Sequence, residues 1–172
     1  MRRFLLYTCM LFVAYILQSA VFAEILPAAF CPDLFLVLVV HANLTHGEET
    51  GLLISIVAGL LVDTGLPPGT GFFTIFYPVV ALFVFFFRQS LNLQSRRYQA
   101  AFLGCCSLAQ TAAMLAVMKL QTPELFASAY LLHVGLGRTL VILFLGPLLL
   151  YCLDELEVWS ERFGKHGEFH EV

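Results

Sequence analysis

The sequence predicts an all-α, polytopic membrane fold of about six transmembrane helices. Three observations carry this: 60% of residues are hydrophobic against 12% charged, apolar runs recur along nearly the whole chain, and those runs lack a two-residue alternation. Soluble domains carry roughly 25% charged residues, so water is not the main solvent of this chain. A run of about twenty apolar residues crosses a hydrocarbon core about 30 Å thick at about 1.5 Å per helical residue. Spanning sheets alternate over segments of about ten residues; continuous apolar runs instead require helices that satisfy their own backbone groups.

The elements follow in order. Helix 1 is expected from Phe4 to Ala23. Its apolar stretch exceeds the roughly 7–15 residues of a signal-peptide h-region, so it is read as a retained helix. Helix 2 opens at Asp33, where Pro32 presets the first turn, and runs to about Asn43. Its apolar core, Leu34 to Val40, is short, and it is expected to lean on neighbours rather than span alone. The polar stretch Thr45 to Thr50 is a loop, and helix 3 covers Gly51 to Leu66. Pro67-Pro68-Gly69 then forces a turn, because two prolines cannot continue the hydrogen-bond ladder. Helix 4 follows from Gly71 to Phe87, a polar loop from Arg88 to Arg97, helix 5 from Tyr98 to Leu120, and helix 6 from Ser128 to Leu153. The chain thus divides into a transmembrane helical domain, residues 1–153, and a charged cytoplasmic tail, residues 154–172, of which only the first part, Leu153 to Phe163, could continue as a helix before Gly164 and Gly167.

Positive charge sets the orientation, since translocation disfavours Lys and Arg in short loops. With the N-terminus inside, Arg2, Arg3, Arg88, Arg96, Arg97, Arg162 and Lys165 face the cytoplasm, against Lys119 alone outside. An even number of helices places both termini inside. The net charge of −3, without any Lys/Arg run, gives no surface for nucleic acid.

Ionisable groups inside a membrane cost at least about 2.5–3.5 kcal/mol, so Asp63 in helix 3 and Arg138 in helix 6 require an explanation. The expectation is that they form a structural clamp, with a polar cavity facing a ligand or partner as the competing use. Asp33 has a simpler role, since a carboxylate in the first turn of a helix is favoured by the helix dipole. Asp63-Thr64-Gly65 repeats the tripeptide of aspartic proteases, but such enzymes need two aspartates sharing a proton on β-rich lobes. His41 and His46 stand five apart, about 140° around a helix, which does not make a metal-binding face. The five cysteines form no C-x-x-C pair and read as small hydrophobes, and no metal, cofactor or disulfide is predicted. No phosphate-binding loop or nucleophile elbow occurs, and no enzyme is predicted. Gly51, Ser55 and Gly59 recur every four residues on helix 3, as do Ala112 and Ala116 on helix 5, marking faces where another helix can approach closely.

The stretch Pro32 to Gly71 resembles the rod shape-determining MreD family in order and spacing. Pro32-Asp33 opens an apolar segment, Gly47 sits in a short polar loop, Gly59-Leu60 with Asp63 ends a helix, and Gly69 or Gly71 lies in the turn that follows. Leu17-Gln18-Ser19, late in helix 1, is similar to the family as well. The resemblance is detailed over the first half of the chain and extends to the rest only in length and helix number, so no family role passes to Arg138. It implies a fold similar to the substrate-binding subunits of energy-coupling vitamin transporters, used here for protein contacts. It further implies a non-enzymatic scaffold in the bacterial cytoplasmic membrane, associated with an MreC-like membrane-anchored protein. Through that protein it would reach the elongation glycosyltransferase and transpeptidase pair and the MreB filament, supporting peptidoglycan synthesis and rod shape. The alternative is a vitamin-type binding subunit of a membrane transporter.

Overall fold

A computed structural model describes residues 2–25, 27, 30–46, 48–65, 71–90, 95–121 and 128–166, and over these the apolar runs fold into six helices. Helix α1 runs over Arg2–Ile16, continues through a π-helical stretch at Leu17–Phe22 and closes with one α turn at Ala23–Ile25. Then come α2 (Leu34–Thr45), α3 (Glu48–Thr64), α4 (Phe72–Ser90), α5 (Arg96–Gln121) and α6 (Ser128–His166). No strand occurs among the described residues. The π-helical widening falls on Leu17-Gln18-Ser19, where an extra residue per turn marks a local departure from the α ladder.

Consecutive helices run in opposite directions, as their side-chain contacts show. Tyr7 near the start of α1 meets Thr45 at the end of α2. Asp63 at the end of α3 meets Thr74 at the start of α4, and Arg96 at the start of α5 meets Asp154 well along α6.

The centre of the bundle is α2. Its residues from Phe35 to Asn43 are all buried, and a helix apolar around its whole circumference has to be enclosed. Every other helix contributes to that enclosure: Tyr7 and Leu11 from α1, Ile54 and Ala58 from α3, Tyr77 and Val84 from α4, Leu103 from α5, and Ile142 and Leu150 from α6. The short second helix does lean on its neighbours, on every side: it is the hub around which they pack.

At the end of the chain, α6 runs on past Leu153 to His166 and is 39 residues long, so the first part of the charged tail does continue as a helix. Asp154 and Glu157 stay partly buried because they face the bundle, as described below. Gly47, the Pro67-Pro68-Gly69 turn and residues 167–172 lie outside the described residues.

Among the described residues two stretches, Arg96–Leu120 with 25 residues and Leu132–Ser160 with 29, are long and apolar enough to cross a membrane. The outward faces are heavily apolar: Ile75 is 70% exposed, Phe86 69% and Phe144 79%.

Candidate functional site

Polar side chains collect at three places, and each joins helices. The first is the α3–α4 hairpin. Asp63, half-buried near the end of α3, accepts hydrogen bonds from Phe73 N at 3.1 Å, Thr74 N at 2.7 Å and Thr74 Oγ1 at 2.6 Å. It therefore caps the orphan N–H groups that open α4, a role usually filled by a residue just before the helix. One turn earlier, Gly59 makes the approach possible. A Cβ there would stand 2.5 Å from Phe73 O and 2.6 Å from Thr74 Cα, so any side chain would drive the two helices apart. Gly71, with φ at +49°, bends the chain into α4 in the left-handed region that glycine enters without strain. Gly59 and Asp63 are one device: the first admits the start of α4 and the second binds it.

The second place is the end of the bundle where α2 begins. Asp33, buried, is the N-cap of α2, accepting from Leu36 N at 3.0 Å. It also accepts from Tyr77 Oη on α4 at 3.3 Å and from Gln110 Nε2 on α5 at 2.7 Å, so one carboxylate ties three helices. Beside it, a cavity of about 150 Å³ lies between α5 and α6, lined by Asp33, Gln110, Thr111, Met114, Met118 and Arg138, among others. Ser107, also on its wall, pairs with Thr139 of α6 at 3.1 Å, and Gly135 lies so close to Thr111 that a Cβ would overlap that side chain.

The third place is the opposite end. His41, buried on α2, is bonded on both ring nitrogens: Nδ1 is 2.7 Å from Tyr7 Oη and Nε2 is 2.7 Å from Asp154 Oδ1. A neutral ring with its proton on Nε2 fits both contacts, with the Tyr7 hydroxyl donating to Nδ1 and Nε2–H donating to the carboxylate. The other oxygen of Asp154 takes the Arg96 guanidinium. His46, just past α2, stacks edge-on against Tyr7 with ring centroids 4.8 Å apart and lies 3.5 Å from Glu157. That separation is within ion-pair reach, although neither ring nitrogen makes a hydrogen bond. Arg88 on α4 donates to the His46 carbonyl at 3.3 Å. Five helices thus meet in this network, in which His41 and His46 serve as joints between helices.

The structure brings Asp33 and Arg138 to one cavity and joins Gly59 to Asp63. It places Asp63 on the start of α4, where the backbone supplies the donors that the sequence reading sought in Arg138. Gly69 lies outside the described residues. The small-residue face of α3 is filled from within the chain. Gly51 and Ser55 receive Asn43 of α2, whose amide donates to Ser55 Oγ at 3.0 Å. Ala112 and Ala116 are exposed, and the close approach on α5 is made by Thr111 instead. His41 and His46 do converge, around Tyr7, because His46 has extended backbone outside the helix and the angular argument from helical spacing does not apply to it. Among the described residues no group of three His, Cys, Asp or Glu side chains is placed to hold a metal ion. Gln110, Tyr7 and Asp154 were missed in the sequence, and the only signal for them was a polar side chain inside or beside an apolar run. No family model, curated protein or solved structure matches this chain.

Proposed function

We propose that this chain is a multi-pass protein of the bacterial cytoplasmic membrane with six spans and both termini inside, acting as a non-enzymatic scaffold of the MreD type. In that role it associates with an MreC-like membrane-anchored protein and, through it, with the glycosyltransferase and transpeptidase pair and the MreB filament. The contribution to the cell is regulated lateral wall synthesis and rod shape.

One observation carries the reading. The residues on which the resemblance rests, Asp33, Gly59 and Asp63, are all joints between helices. A pattern that encodes helix joints suits a protein whose product is its own shape. Two further features support the membrane setting. Large apolar side chains face outward on α1, α4, α5 and α6, among them Ile75, Phe86 and Phe144, and extended apolar surface of this kind marks a face that meets a partner or a membrane. Arg88 and Arg96 gather at the His46 end, with Lys119 at the far end of α5, which accords with the positive-inside rule.

The vitamin-carrier reading draws on the cavity that Asp33 and Arg138 share. At about 150 Å³ it falls below the roughly 300–1,000 Å³ of pockets that enclose drug-sized ligands. The test is crosslinking and co-purification of the tagged chain from its native membrane, followed by mass spectrometry. Recovery of an MreC-like protein with the wall-synthesis pair is the expected result. Recovery of an ATPase with its coupling subunit would replace the scaffold by a transporter.

A further inference from the structure

Between α4 and α5 the bundle opens outward, and the two ends of the opening differ in charge. The helices part along a cleft of about 310 Å³, lined by Phe76, Phe83 and Phe87 on α4 and by Phe102, Cys105 and Ala109 on α5, among others. No charged residue lines it. Phe83 is 53% exposed and Phe87 40%, so the cleft faces whatever surrounds the bundle. From Phe76 to Phe87 it runs about 16 Å at about 1.5 Å per helical residue, close to half of a hydrocarbon core about 30 Å thick. That is the depth of one leaflet, whereas a partner's transmembrane helix calls for a groove along the whole span.

Charge gathers at one end only, where α5 begins. Its first turn carries Arg96 and Arg97 and no acidic residue. Cations there oppose the helix dipole, whose N-terminal end is positive, and an anion nearby relieves the conflict. Arg96 has such an anion in Asp154. Arg97 is exposed and makes no ion pair among the described residues. Helical register brings it to the cleft. Tyr98, 57% exposed, is one turn before Phe102 on the same face, and its neighbour Arg97 is about 7.5 Å along the axis from Phe102. An arginine side chain is long enough to cover that distance while its guanidinium stays at the surface. Arg88, one residue past Phe87, is exposed too, and it donates to the His46 carbonyl, which is neutral. At the opposite end of the cleft, neither residues 72–76 nor residues 109–113 include a cation.

We propose that the α4–α5 cleft holds an acyl chain of an anionic phospholipid, with the chain between the phenylalanines and the phosphate on Arg97, close to Arg88 and Tyr98. Basic residues at the mouth of a gap between membrane helices recognise anionic headgroups in this way. The bilayer source of the ligand rests on the membrane reading above. The groove of about 430 Å³ between α1 and α6 provides a contrast. It is equally apolar, lined by Met10, Val13, Cys152 and Leu156 among others, but the exposed charge beside it is Glu155, so it gives an anionic head no preference.

The full-length chain is reconstituted in bilayers of phosphatidylglycerol and phosphatidylcholine with identical chains, and in each run one of the two lipids carries a photoactivatable diazirine in its chain. Peptide mass spectrometry locates the crosslinks. Phosphatidylglycerol is expected to mark residues 76–87 and 102–109 about fivefold more than phosphatidylcholine does, the effect of about one basic residue at a membrane surface. The α1–α6 groove is expected to be marked equally by both. Arg97→Gln, a change at an exposed position, should remove most of the excess, and Arg97→Lys, which keeps the charge, should retain it. Equal marking of the cleft by the two lipids, or an excess undiminished in Arg97→Gln, overturns the proposal. So does an unmarked cleft in which mild oxidation joins the Cys105 thiols of two copies, since a second chain would then be the occupant. Alkaline extraction separates the lipid site from the membrane reading beneath it: a chain that stays in the membrane with equal marking refutes the site alone, and a chain released by alkali refutes both.

Discussion

Replacing Asp63 by alanine removes the carboxylate that receives two backbone N–H groups and one hydroxyl at the start of α4. Hydrogen bonds to a charged acceptor contribute about 1.5–3 kcal/mol each, but they share one carboxylate and are not additive. Loss of an ordinary N-cap costs about 0.5–2 kcal/mol. Asp63 is half-buried and also holds the hairpin shut, so about 2–4 kcal/mol of stability should be lost. Each 1.4 kcal/mol is roughly a factor of ten in an equilibrium constant, so the unfolding constant should rise between tens and several hundred fold. The assay is reversible unfolding in mixed micelles followed by far-ultraviolet circular dichroism. Asp63→Asn, which keeps one acceptor oxygen, should recover about half of the loss. Thr74→Ala should couple to Asp63→Ala by about 1–2 kcal/mol in a double-mutant cycle, within the range for side chains in direct contact. Two results would refute this account: a loss below about 0.5 kcal/mol in Asp63→Ala, typical of an uninvolved surface position, or stronger coupling of Asp63 to Arg138 than to Thr74. The second would restore the ion clamp that the sequence suggested.

Other consequences are open to direct measurement. Gly59→Ala should cost about 1–3 kcal/mol, since the new methyl meets the α4 backbone and not a side chain that can turn away; unfolding in the same micelles reads it, and an unchanged midpoint would contradict the close approach. Tyr7→Phe leaves the buried Nδ1 of His41 without its donor and should cost about 1–3 kcal/mol. In Asp154→Ala both His41 and Arg96 lose a partner, so its loss should exceed that of Tyr7→Phe; the reverse order would show that Asp154 is not the centre of the network. Phe86→Asp puts a charge on the outward face of α4, 69% exposed at that position. Inside a bilayer the insertion cost is about 2.5–3.5 kcal/mol, so the membrane-integrated fraction should fall sharply, whereas a water-facing site would tolerate the change.

The helical class was legible because it depends only on continuous apolar runs, and the helix starts at Asp33 and near Gly71 were legible because Pro32 and the prolines before Gly71 leave few alternatives. What stayed hidden was three-dimensional. Asp63 reads as an isolated charge in an apolar helix, and an opposite charge in another helix is the natural partner to propose. The donors that hold it are backbone amides of Phe73 and Thr74, which have no signature in the side-chain sequence. Asp154 marked a domain edge because charge usually begins where the apolar core ends. Its partner His41 is 113 residues away, and nothing local says that the carboxylate turns inward. Gln110 illustrates the same point: a single amide in an apolar run is unremarkable until a carboxylate fixes which way it faces.

The enclosure of α2 bears on how the protein is made. Its twelve helical residues extend only about 18 Å at about 1.5 Å per residue, well short of a bilayer's hydrocarbon thickness. A segment that short, carrying His41 and Asn43, has little reason to leave the insertion machinery sideways into lipid while it is alone. Its partners at Tyr77, Gln110 and Asp154 are translated after it. The membrane reading therefore implies that biogenesis runs in two acts: α1 and the α3–α4 hairpin are threaded first with α2 held between them, and α5 and α6 close over it once the ribosome has delivered them. Truncation before Arg96 should then yield a chain that an insertase or chaperone retains, and the time for which it is retained measures how long the hub waits for its cover.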